Sequence, residues 1–261
     1  MALFAVSDIH GYYKELMEAL NEKGFFESDE NRLIVLGDAL DRGKEANQVV
    51  DLLLRLRREG RLVFVLGNHE HLLSDCLDEI SDGRIFEIAC GMSHHYSNGT
   101  FDTALQLSGM TEKEALKDPN GLVRRVKGSE FYRSLLPWGV NFYETDKYVF
   151  CHGWIPTYAQ GVKPYVKHSY NEGWREASDY DWERASWLNG MELACRHKVL
   201  VPGKTVVCGH FHTSWGHCYI SKICSEWKDD AIFDPFCADG IIAIDASTAN
   251  SGKVNCIIIE E

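Results

Sequence analysis

The chain has 261 residues, of which 45% are apolar, and it carries a formal net charge of −12 at pH 7. This length and apolar content suffice for a large core, and because no linker, repeat or low-complexity run interrupts the sequence we predict one domain over residues 1–261. The acidic balance repels a phosphate backbone and argues against a nucleic-acid partner.

The sequence also argues against a membrane or secreted protein. No window approaches the roughly 18 consecutive apolar residues of a membrane helix, and the first residues lead into a strand pattern rather than a basic, cleavable signal. The nine cysteines are odd in number and form no Cys-x-x-Cys pair, which favours reduced thiols. We therefore expect a cytoplasmic protein without a membrane partner.

Three short apolar runs near the start of the chain each precede a polar cluster. The first precedes Asp8 and His10, the second Asp38, and the third Asn68. Asp8, Asp38 and Asn68 stand at two successive intervals of 30 residues, the length of a strand followed by a crossover helix. Because ligands bind outside the carboxyl ends of strands in open α/β sheets, these clusters should meet at one site.

Helical periodicity fills the intervals between these runs. In the first interval, apolar residues recur at helical spacing and Gly24 stands where a helix would stop. The second interval carries a broad apolar stripe with arginines in its last turn and Gly60 beyond, so this helix should pack on the sheet. A third helical stretch follows Glu70.

Residues 81–140 and 154–200 lack a clear period, and we predict loop and helical insertions there. Within the first, residues 111–114 (Thr-Glu-Lys-Glu) are typical of a helix-capping box, and residues 118–121 (Asp-Pro-Asn-Gly) indicate a turn.

Two further apolar runs deliver His152 and, in a Gly-His-Phe-His segment, His210 and His212. Residues 240–245 and 254–259 have strand patterns that we interpret as hairpin-connected. Five strand ends therefore present polar groups.

The polar groups at these strand ends suit a metal centre. Asp and Asn oxygens with His nitrogens favour Mn, Fe or Zn over metals that prefer thiolates. A carboxylate that reaches two ions, roughly 3.5–4 Å apart in two-metal enzymes, can hold a phosphoryl group between them. We interpret Asp38 as this shared ligand, and hydrolysis of a phosphate ester is the first functional hypothesis.

The motifs resemble those of the calcineurin-like metallophosphoesterases. In chain order they are Asp8-x-His10, Gly37-Asp38-x-x-Asp41-Arg42-Gly43, Gly67-Asn68-His69-Glu70, His152-Gly153 and Gly209-His210. The Asp-Arg-Gly ending is similar to the phosphoprotein-phosphatase branch, which includes bacterial serine/threonine phosphatases and symmetrical diadenosine tetraphosphate hydrolases. The resemblance implies an α/β fold, a four-layer α/β/β/α sandwich with mixed sheets.

It also implies two divalent ions, manganese first with iron or zinc as alternatives, and a metal-bound hydroxide as nucleophile. One ion would be bound by Asp8, His10 and Asp38. The other would be bound by Asp38 together with residues from three later motifs, namely Asn68, His152 and His210.

The same resemblance assigns the remaining motif residues to the substrate. His69 would protonate the leaving alkoxide, and Asp41 would keep its imidazole charged. Arg42 would clamp phosphate oxygens with its planar guanidinium, and Asn68 would also lie against the substrate.

A second clamping arginine is expected later in the chain. Arg184, in the Trp-Glu-Arg segment, is our choice over Arg175 and Arg196. A surface arginine lying on an aromatic ring is the alternative interpretation of Arg184 and of Arg175.

His212 is predicted to bind the first ion as well. Residues i and i+2 of a strand face the same side, so an extended segment past Gly209 would direct both His210 and His212 to the metals. The alternative is a bend after His210 that leaves His212 lining the pocket or bonded to a carbonyl.

The leading substrate hypothesis is phosphoserine or phosphothreonine in proteins, and the alternative is a dinucleoside tetraphosphate or another small phosphoester. Residues 211–240 form a long segment rich in Trp, His and Cys, and such loops over a site often set specificity. A non-enzymatic metal-bound scaffold is disfavoured, because it needs neither an acid such as His69 nor a clamp such as Arg42.

Overall fold

The computed structural model describes residues 1–161 and 166–260. Strands in these ranges form two mixed sheets and a separate two-stranded sheet. The strands are β1 (Leu3–Val6), β2 (Arg32–Leu36), β3 (Leu62–Val65), β4 (Phe142–Glu144), β5 (Tyr148–Cys151), β6 (Tyr158–Gln160), β7 (Lys167–Ser169), β8 (Thr205–Cys208), β9 (Phe236–Ala238), β10 (Ile241–Ala243) and β11 (Cys256–Ile259).

Helices connect the strands and cover the sheets. They are α1 (Tyr13–Glu22), α2 (Ala46–Arg58), α3 (Asn68–Ser81), α4 (Ile85–Ala89), α5 (His94–Ser97), α6 (Thr100–Ser108), α7 (Glu112–Lys117), α8 (Pro119–Gly128), α9 (Asp179–Ala185), α10 (Gly190–Glu192), α11 (Thr213–Gly216) and α12 (Thr248–Ser251). Short 3₁₀ or π turns cover Phe25–Glu27, Phe131–Leu135, Leu136–Trp138, Trp174–Glu176, Leu193–His197 and His217–Ser221.

Both main sheets have parallel strands at their centre and at least one antiparallel edge strand. The first has the strand order β11-β1-β2-β3, in which β1, β2 and β3 are parallel and β11 runs antiparallel to β1. The second has the order β4-β5-β8-β10-β9, in which β5, β8 and β10 are parallel and both edge strands are antiparallel. The predicted mixed sheets are therefore confirmed.

Alternation of side chains along the central strands produces four layers. In β1, Phe4 and Val6 pack on the helices outside the first sheet, whereas Ala5 faces the second sheet. In β5, Val149 packs on the outer elements of the second sheet, whereas Phe150 faces the first sheet. Strands buried on both faces read as continuous apolar runs, which is why their sequence pattern was clear. The predicted α/β/β/α arrangement is confirmed.

The helices of the first crossovers also match their predicted stripes. Gly24 lies just beyond α1 with a φ of +77°, a conformation that favours glycine. α3 begins at Asn68, three residues before the predicted stretch, which started after Glu70. α2 packs on the first sheet with an apolar face of Ala46, Val49, Val50, Leu52, Leu53, Leu54 and Leu56. Burying each Val or Leu side chain contributes about 1.5–3 kcal/mol, so this face anchors α2.

Two local predictions are wrong. Residues 118–121 begin α8 rather than forming a turn, because the Asp118 side chain accepts a hydrogen bond of 2.8 Å from the Gly121 N–H and a proline follows it at the first helical position. Residues 240–245 and 254–259 form no hairpin with each other, since β10 pairs with β8 and β9 while β11 pairs with β1 in the other sheet. A strand pattern indicates burial but does not identify the partner strand.

The segments predicted as insertions contain secondary structure. Residues 81–140 hold α4 to α8, and the predicted capping box at Thr111 is confirmed at the start of α7. Residues 154–200 hold β6, β7, α9 and α10, while residues 162–165 lie outside the described residues. The one-domain organisation stays a prediction. No helix in the described ranges combines the length and apolarity needed to cross a membrane.

Candidate metal centre

The loops that follow β1, β2, β3, β5 and β8 meet at one end of the two sheets. Within the first sheet, the His10 N–H donates to the Asp38 carbonyl at 2.9 Å. Within the second, the Gly209 N–H donates to the His152 carbonyl at 2.7 Å. The two sheets are joined where Nδ1 of His152 lies 2.6 Å from the Leu36 carbonyl oxygen. The predicted convergence of the five strand ends is therefore observed.

Left-handed backbone conformations place many of the polar side chains in these loops. Of the nine non-glycine residues with φ between +52° and +75° in the described ranges, six lie in these loops, namely Asp8, His10, Asp38, Asp41, Arg42 and His210. Each such residue costs on the order of 1–3 kcal/mol and persists only where the surrounding structure enforces it. Their concentration in one loop cluster marks this end of the sheets as the candidate functional site.

Asp38 lies at the centre of the cluster, and its two oxygens face different histidines. Oδ2 lies 3.8 Å from Nε2 of both His10 and His69, and Oδ1 lies 3.3 Å from Nε2 of His152. Ligand atoms of one tetrahedral zinc-type site lie roughly 3.3–3.6 Å apart. Two groups of donors suited to a metal share this carboxylate, His10–Asp38–His69 and Asp38–His152–His210.

Asn68 and Asp8 lie beside these two groups. Oδ1 of Asn68 is 2.9 Å from both His152 Nε2 and His210 Nδ1. Oδ1 of Asp8 is 3.9 Å from His10 Nε2, and its Oδ2 accepts a hydrogen bond of 2.9 Å from the His210 N–H. The side chains predicted as ligands from the first three motifs are thus brought together with those of the two late histidines.

Burial and mutual charge shift the pKa values in this cluster. Burial acts to raise the pKa of Asp38, but His152 and His69 outweigh it and hold that pKa well below its usual range. Burial, opposed by His152, raises the pKa of Asp8 to about 6. Burial acts to lower the pKa of His152, but Asp38 outweighs it and raises that pKa to about 10. Asp38 is therefore an anion in a fully buried position, as a metal-binding carboxylate must be.

His69 is held by a carboxylate on one ring nitrogen. Nδ1 lies 2.7 Å from Oδ2 of Asp41, which also accepts a hydrogen bond of 2.7 Å from the Thr100 hydroxyl. Nε2 lies 3.4 Å from a guanidinium nitrogen of Arg42. Burial acts to lower the pKa of His69, but Asp38 and Asp41 outweigh it and raise that pKa. Nδ1 is therefore engaged by Asp41, and Nε2 is the ring nitrogen that faces Arg42.

Glu70 supports the cluster in a way that the sequence analysis missed. Its carboxylate accepts hydrogen bonds from the N–H groups of Gly67, Asp38 and Ala39 at 2.7, 2.9 and 3.0 Å. A glutamate in the first turn that reaches back to the residue before the helix is half of a capping box, so the Gly-Asn-His-Glu segment contained the signal. Glu70 thereby ties the start of α3 to the loop that carries Asp38.

Two threonines of α6 were also missed. The Thr100 hydroxyl binds the Asp41 carboxylate, and the Thr103 hydroxyl accepts a hydrogen bond of 3.0 Å from the Asp41 N–H. About sixty residues separate these threonines from Asp41 in sequence, and no local pattern predicts such a contact.

In the described part of the chain, the three arginines considered as a second clamp make their polar contacts with residues outside the donor cluster. Arg184 is exposed, donates to the Tyr180 hydroxyl at 3.3 Å and lines a cavity of about 240 Å³ beside α9. Arg175 forms an ion pair with Glu144. Arg196 forms one with Glu192, the last residue of α10. The aromatic stacking given as the alternative is present for Arg175 and Arg184, and Arg196 also lies over an aromatic ring, that of Trp215.

His212 lies outside both donor groups. β8 ends at Cys208 and the chain bends at His210, whose φ is +64°, so the extended segment on which the prediction depended is absent and that premise is wrong. Nε2 of His212 lies 2.9 Å from Oε1 of Glu226, and its ring centroid lies 4.2 Å from that of Trp227. The bend that was the alternative is therefore the observed conformation, with a carboxylate rather than a carbonyl as partner.

Comparison with known proteins identifies the family of the chain. The calcineurin-like phosphoesterase family profile matches residues 1–214. A symmetrical bis(5'-nucleosyl)-tetraphosphatase of Buchnera aphidicola subsp. Schizaphis graminum is 39% identical over 70 residues, which cover 27% of this chain and 24% of that protein. Serine/threonine-protein phosphatase 2 of Salmonella typhimurium is 36% identical over 89 residues, which cover 34% of this chain and 38% of that protein. The matches thus span well under half of these relatives.

A crystal structure of a mutant cold-active protein tyrosine phosphatase has a TM-score of 0.51, with 14% identity, and the alignment covers 100% of this chain and 75% of that one. A likeness at this identity shows a shared fold and nothing about chemistry. The family profile extends from β1 past β8 and so includes every strand end described above. The chain belongs to the calcineurin-like phosphoesterases.

Proposed function

We propose that this protein hydrolyses phosphate esters with two divalent metal ions, and that its first substrate class is phosphoserine or phosphothreonine in proteins. The observation that carries the proposal is the position of Asp38, whose two oxygens face separate groups of buried histidines. A carboxylate so placed suits a pair of ions that share one ligand.

The donor set fits such ions. Its carboxylate, amide and imidazole groups suit manganese, iron or zinc, and we propose manganese first. The proposed ligands are Asp8, His10 and Asp38 for one ion, and Asp38, Asn68, His152 and His210 for the other. His212 stays outside this set because Glu226 occupies its Nε2. When bound, the ions would supply Lewis-acid activation of water and of the phosphoryl group.

His69 is proposed as the general acid. Asp38 and Asp41 raise the pKa of the ring against the effect of burial and so favour its charged form, and the Asp41 contact leaves Nε2 as the nitrogen that can give its proton to a leaving oxygen. His69 is also close enough to Asp38 to be a metal ligand. The acid role is preferred because Nε2 lies 3.4 Å from the Arg42 guanidinium, so a phosphate held by Arg42 would lie beside Nε2.

Arg42 is proposed as the clamp for the phosphate oxygens. Its side chain is exposed and its guanidinium lies against His69, so a bound phosphate beside the metal ligands would contact both groups. Asn68 and Arg184 are proposed as further substrate contacts. For Arg184, the support is its place on the cavity beside α9 rather than any contact with the metal cluster.

A dinucleoside tetraphosphate is the second candidate substrate, because one of the relatives is a symmetrical bis(5'-nucleosyl)-tetraphosphatase and another is a serine/threonine-protein phosphatase. Both reactions need the same donor cluster. A cytoplasmic location and the absence of a nucleic-acid partner are part of the proposal.

The test compares kcat/KM of the manganese-loaded protein for a phosphopeptide panel, a dinucleoside tetraphosphate and a generic aryl phosphate. The proposal expects activity that is lost on exhaustive chelation and restored by manganese, with the phosphopeptides preferred. Preference for the tetraphosphate would select the second candidate. Full activity after exhaustive chelation would overturn the metal-dependent reaction for both.

A further inference from the structure

Four aromatic side chains form a row beside the candidate metal centre, namely Trp187, His210, Phe211 and His212. The ring of Trp187 lies 5.8 Å from that of His210, with an angle of 79° between the two planes. From His210 the row continues through Phe211 at 6.3 Å and on to His212 at 5.1 Å. Trp187 is 50% exposed although it touches a proposed metal ligand. A large aromatic side chain thus stands in solvent at the edge of the centre.

The backbone that carries Trp187 is fixed in place. The Trp187 N–H donates to the Arg184 carbonyl at 3.3 Å, and the Trp154 N–H donates to the Ala185 carbonyl at 3.2 Å. The turn after α9 is therefore fixed to the segment that carries His152, and the indole has a defined position relative to the centre.

We infer that Trp187 is a specificity-determining residue that stacks on a planar aromatic ring carried by the phosphoester, a few bonds from the phosphorus. A rigid indole offers a large face to a flat ring, and such stacking tolerates any base or phenyl group. An exposed tryptophan alone is ordinary on a protein surface. The argument here is its contact with His210, which puts the exposed ring beside the place where the phosphate would lie. The inference rests on the proposed function for the position of that phosphate, and among its candidates a stacked ring favours the dinucleoside tetraphosphate over phosphoserine or phosphothreonine.

The test measures binding rather than turnover, with ligand pairs that differ only in the ring. Adenosine 5'-monophosphate is compared with ribose 5-phosphate, and phenyl phosphate with glycerol phosphate, each as its hydrolysis-resistant phosphonate analogue, by calorimetry on manganese-loaded protein. We expect the wild type to bind the ring-bearing member about tenfold more tightly, the size of effect typical of one stacked ring. Trp187→Leu should remove most of this ratio, and Trp187→Phe should keep a substantial part of it. A preference confined to the nucleotide pair would identify a base, and one shared by both pairs would identify any aromatic ring.

Trp138→Leu is the matched control, because Trp138 is 37% exposed and packs on Arg57, away from the cluster. It should leave both ratios unchanged. Equal weakening of ring-bearing and ring-free ligands by Trp187→Leu would overturn the inference, since it would mean that Trp187 acts only by holding His210. A wild type that binds both members of each pair equally would overturn it as well. Failure of the proposed function is distinguishable, since it would appear as absent hydrolysis while the binding ratios are still measured.

Discussion

At the scale of single residues, His69 can act either as a proton donor or as a metal ligand, and one substitution separates the two roles. His69→Asn should lower kcat by about 10²–10⁴, the range of a lost general acid, and keep the metal content of the wild type. The loss should shrink for esters with good leaving groups, which need little protonation. Stopped assays on an alkyl and an aryl phosphate, with metal analysis of the same samples, provide the measurement.

The pH dependence gives the control for this assignment. A general acid acts in its protonated form, and because the pKa of His69 is raised the wild type should hold its kcat above the ordinary titration range of histidine and lose it at higher pH. The His69→Asn profile should lack this alkaline decline. Loss of metal from the variant would instead assign His69 to the first ion.

His212 is the residue for which the structure changed the expectation. His212→Ala should leave both steps of a metal titration unchanged, because its Nε2 is bound to Glu226 and the chain bends before it. Isothermal titration of the metal-free protein with manganese measures the two steps. Selective weakening of one step would restore His212 to the ligand set.

At the scale of secondary-structure elements, Glu70 joins α3 to the loop after β2. Glu70→Gln should cost about 1–3 kcal/mol in unfolding free energy, because the amide cannot accept all three backbone hydrogen bonds and leaves a buried N–H unpaired. Metal affinity should fall roughly 10–100-fold, as for other groups that orient ligands. Asp78→Asn, an exposed change on the same helix, is the control in denaturant unfolding and metal titration.

The difference between predictable and unpredictable features is also clearest at this scale. The parallel strands could be predicted because burial on both faces leaves an uninterrupted apolar run, and the donors at their ends followed from that. The bend at His210 could not be predicted, because a positive φ on a histidine is imposed by tertiary contacts. The hydrogen bonds from α6 to Asp41 join segments about sixty residues apart. They form only because the intervening helices fold so that α6 lies beside Asp41, and no local sequence pattern encodes that arrangement.

At the scale of the whole molecule, the proposed ligands come from both sheets. Asp8, Asp38 and Asn68 follow strands of the first sheet, whereas His152 and His210 follow strands of the second. Ions held by both sets would therefore link the two halves of the sandwich as well as supply chemistry.

Manganese should accordingly raise the unfolding free energy by about 2.7 kcal/mol at a free concentration one hundred times the dissociation constant. Asp38→Asn should weaken both binding steps together, because it alters the carboxylate shared by the two groups. Thermal unfolding at graded manganese concentrations measures the first effect and calorimetry the second. Loss of a single step in the variant would mean that Asp38 serves only one ion.

The left-handed conformations in the site loops lower the unfolding free energy of this protein, and substitutions at Arg42 can measure that cost. Its φ is +62° and its side chain is exposed, so replacement removes little buried surface. Glycine adopts this conformation freely whereas alanine does not, and Arg42→Gly should therefore be more stable than Arg42→Ala by about 1 kcal/mol, the reverse of their usual order in regular structure. Both should lose the phosphate clamp equally, with a higher KM and a lower kcat. Equal midpoints in urea for the two variants would mean that the loop relaxes once the arginine is gone. The expected inequality would show that the cost lies in the left-handed backbone that presents the clamp, so the loop gives up stability at the position where the site needs a fixed side chain.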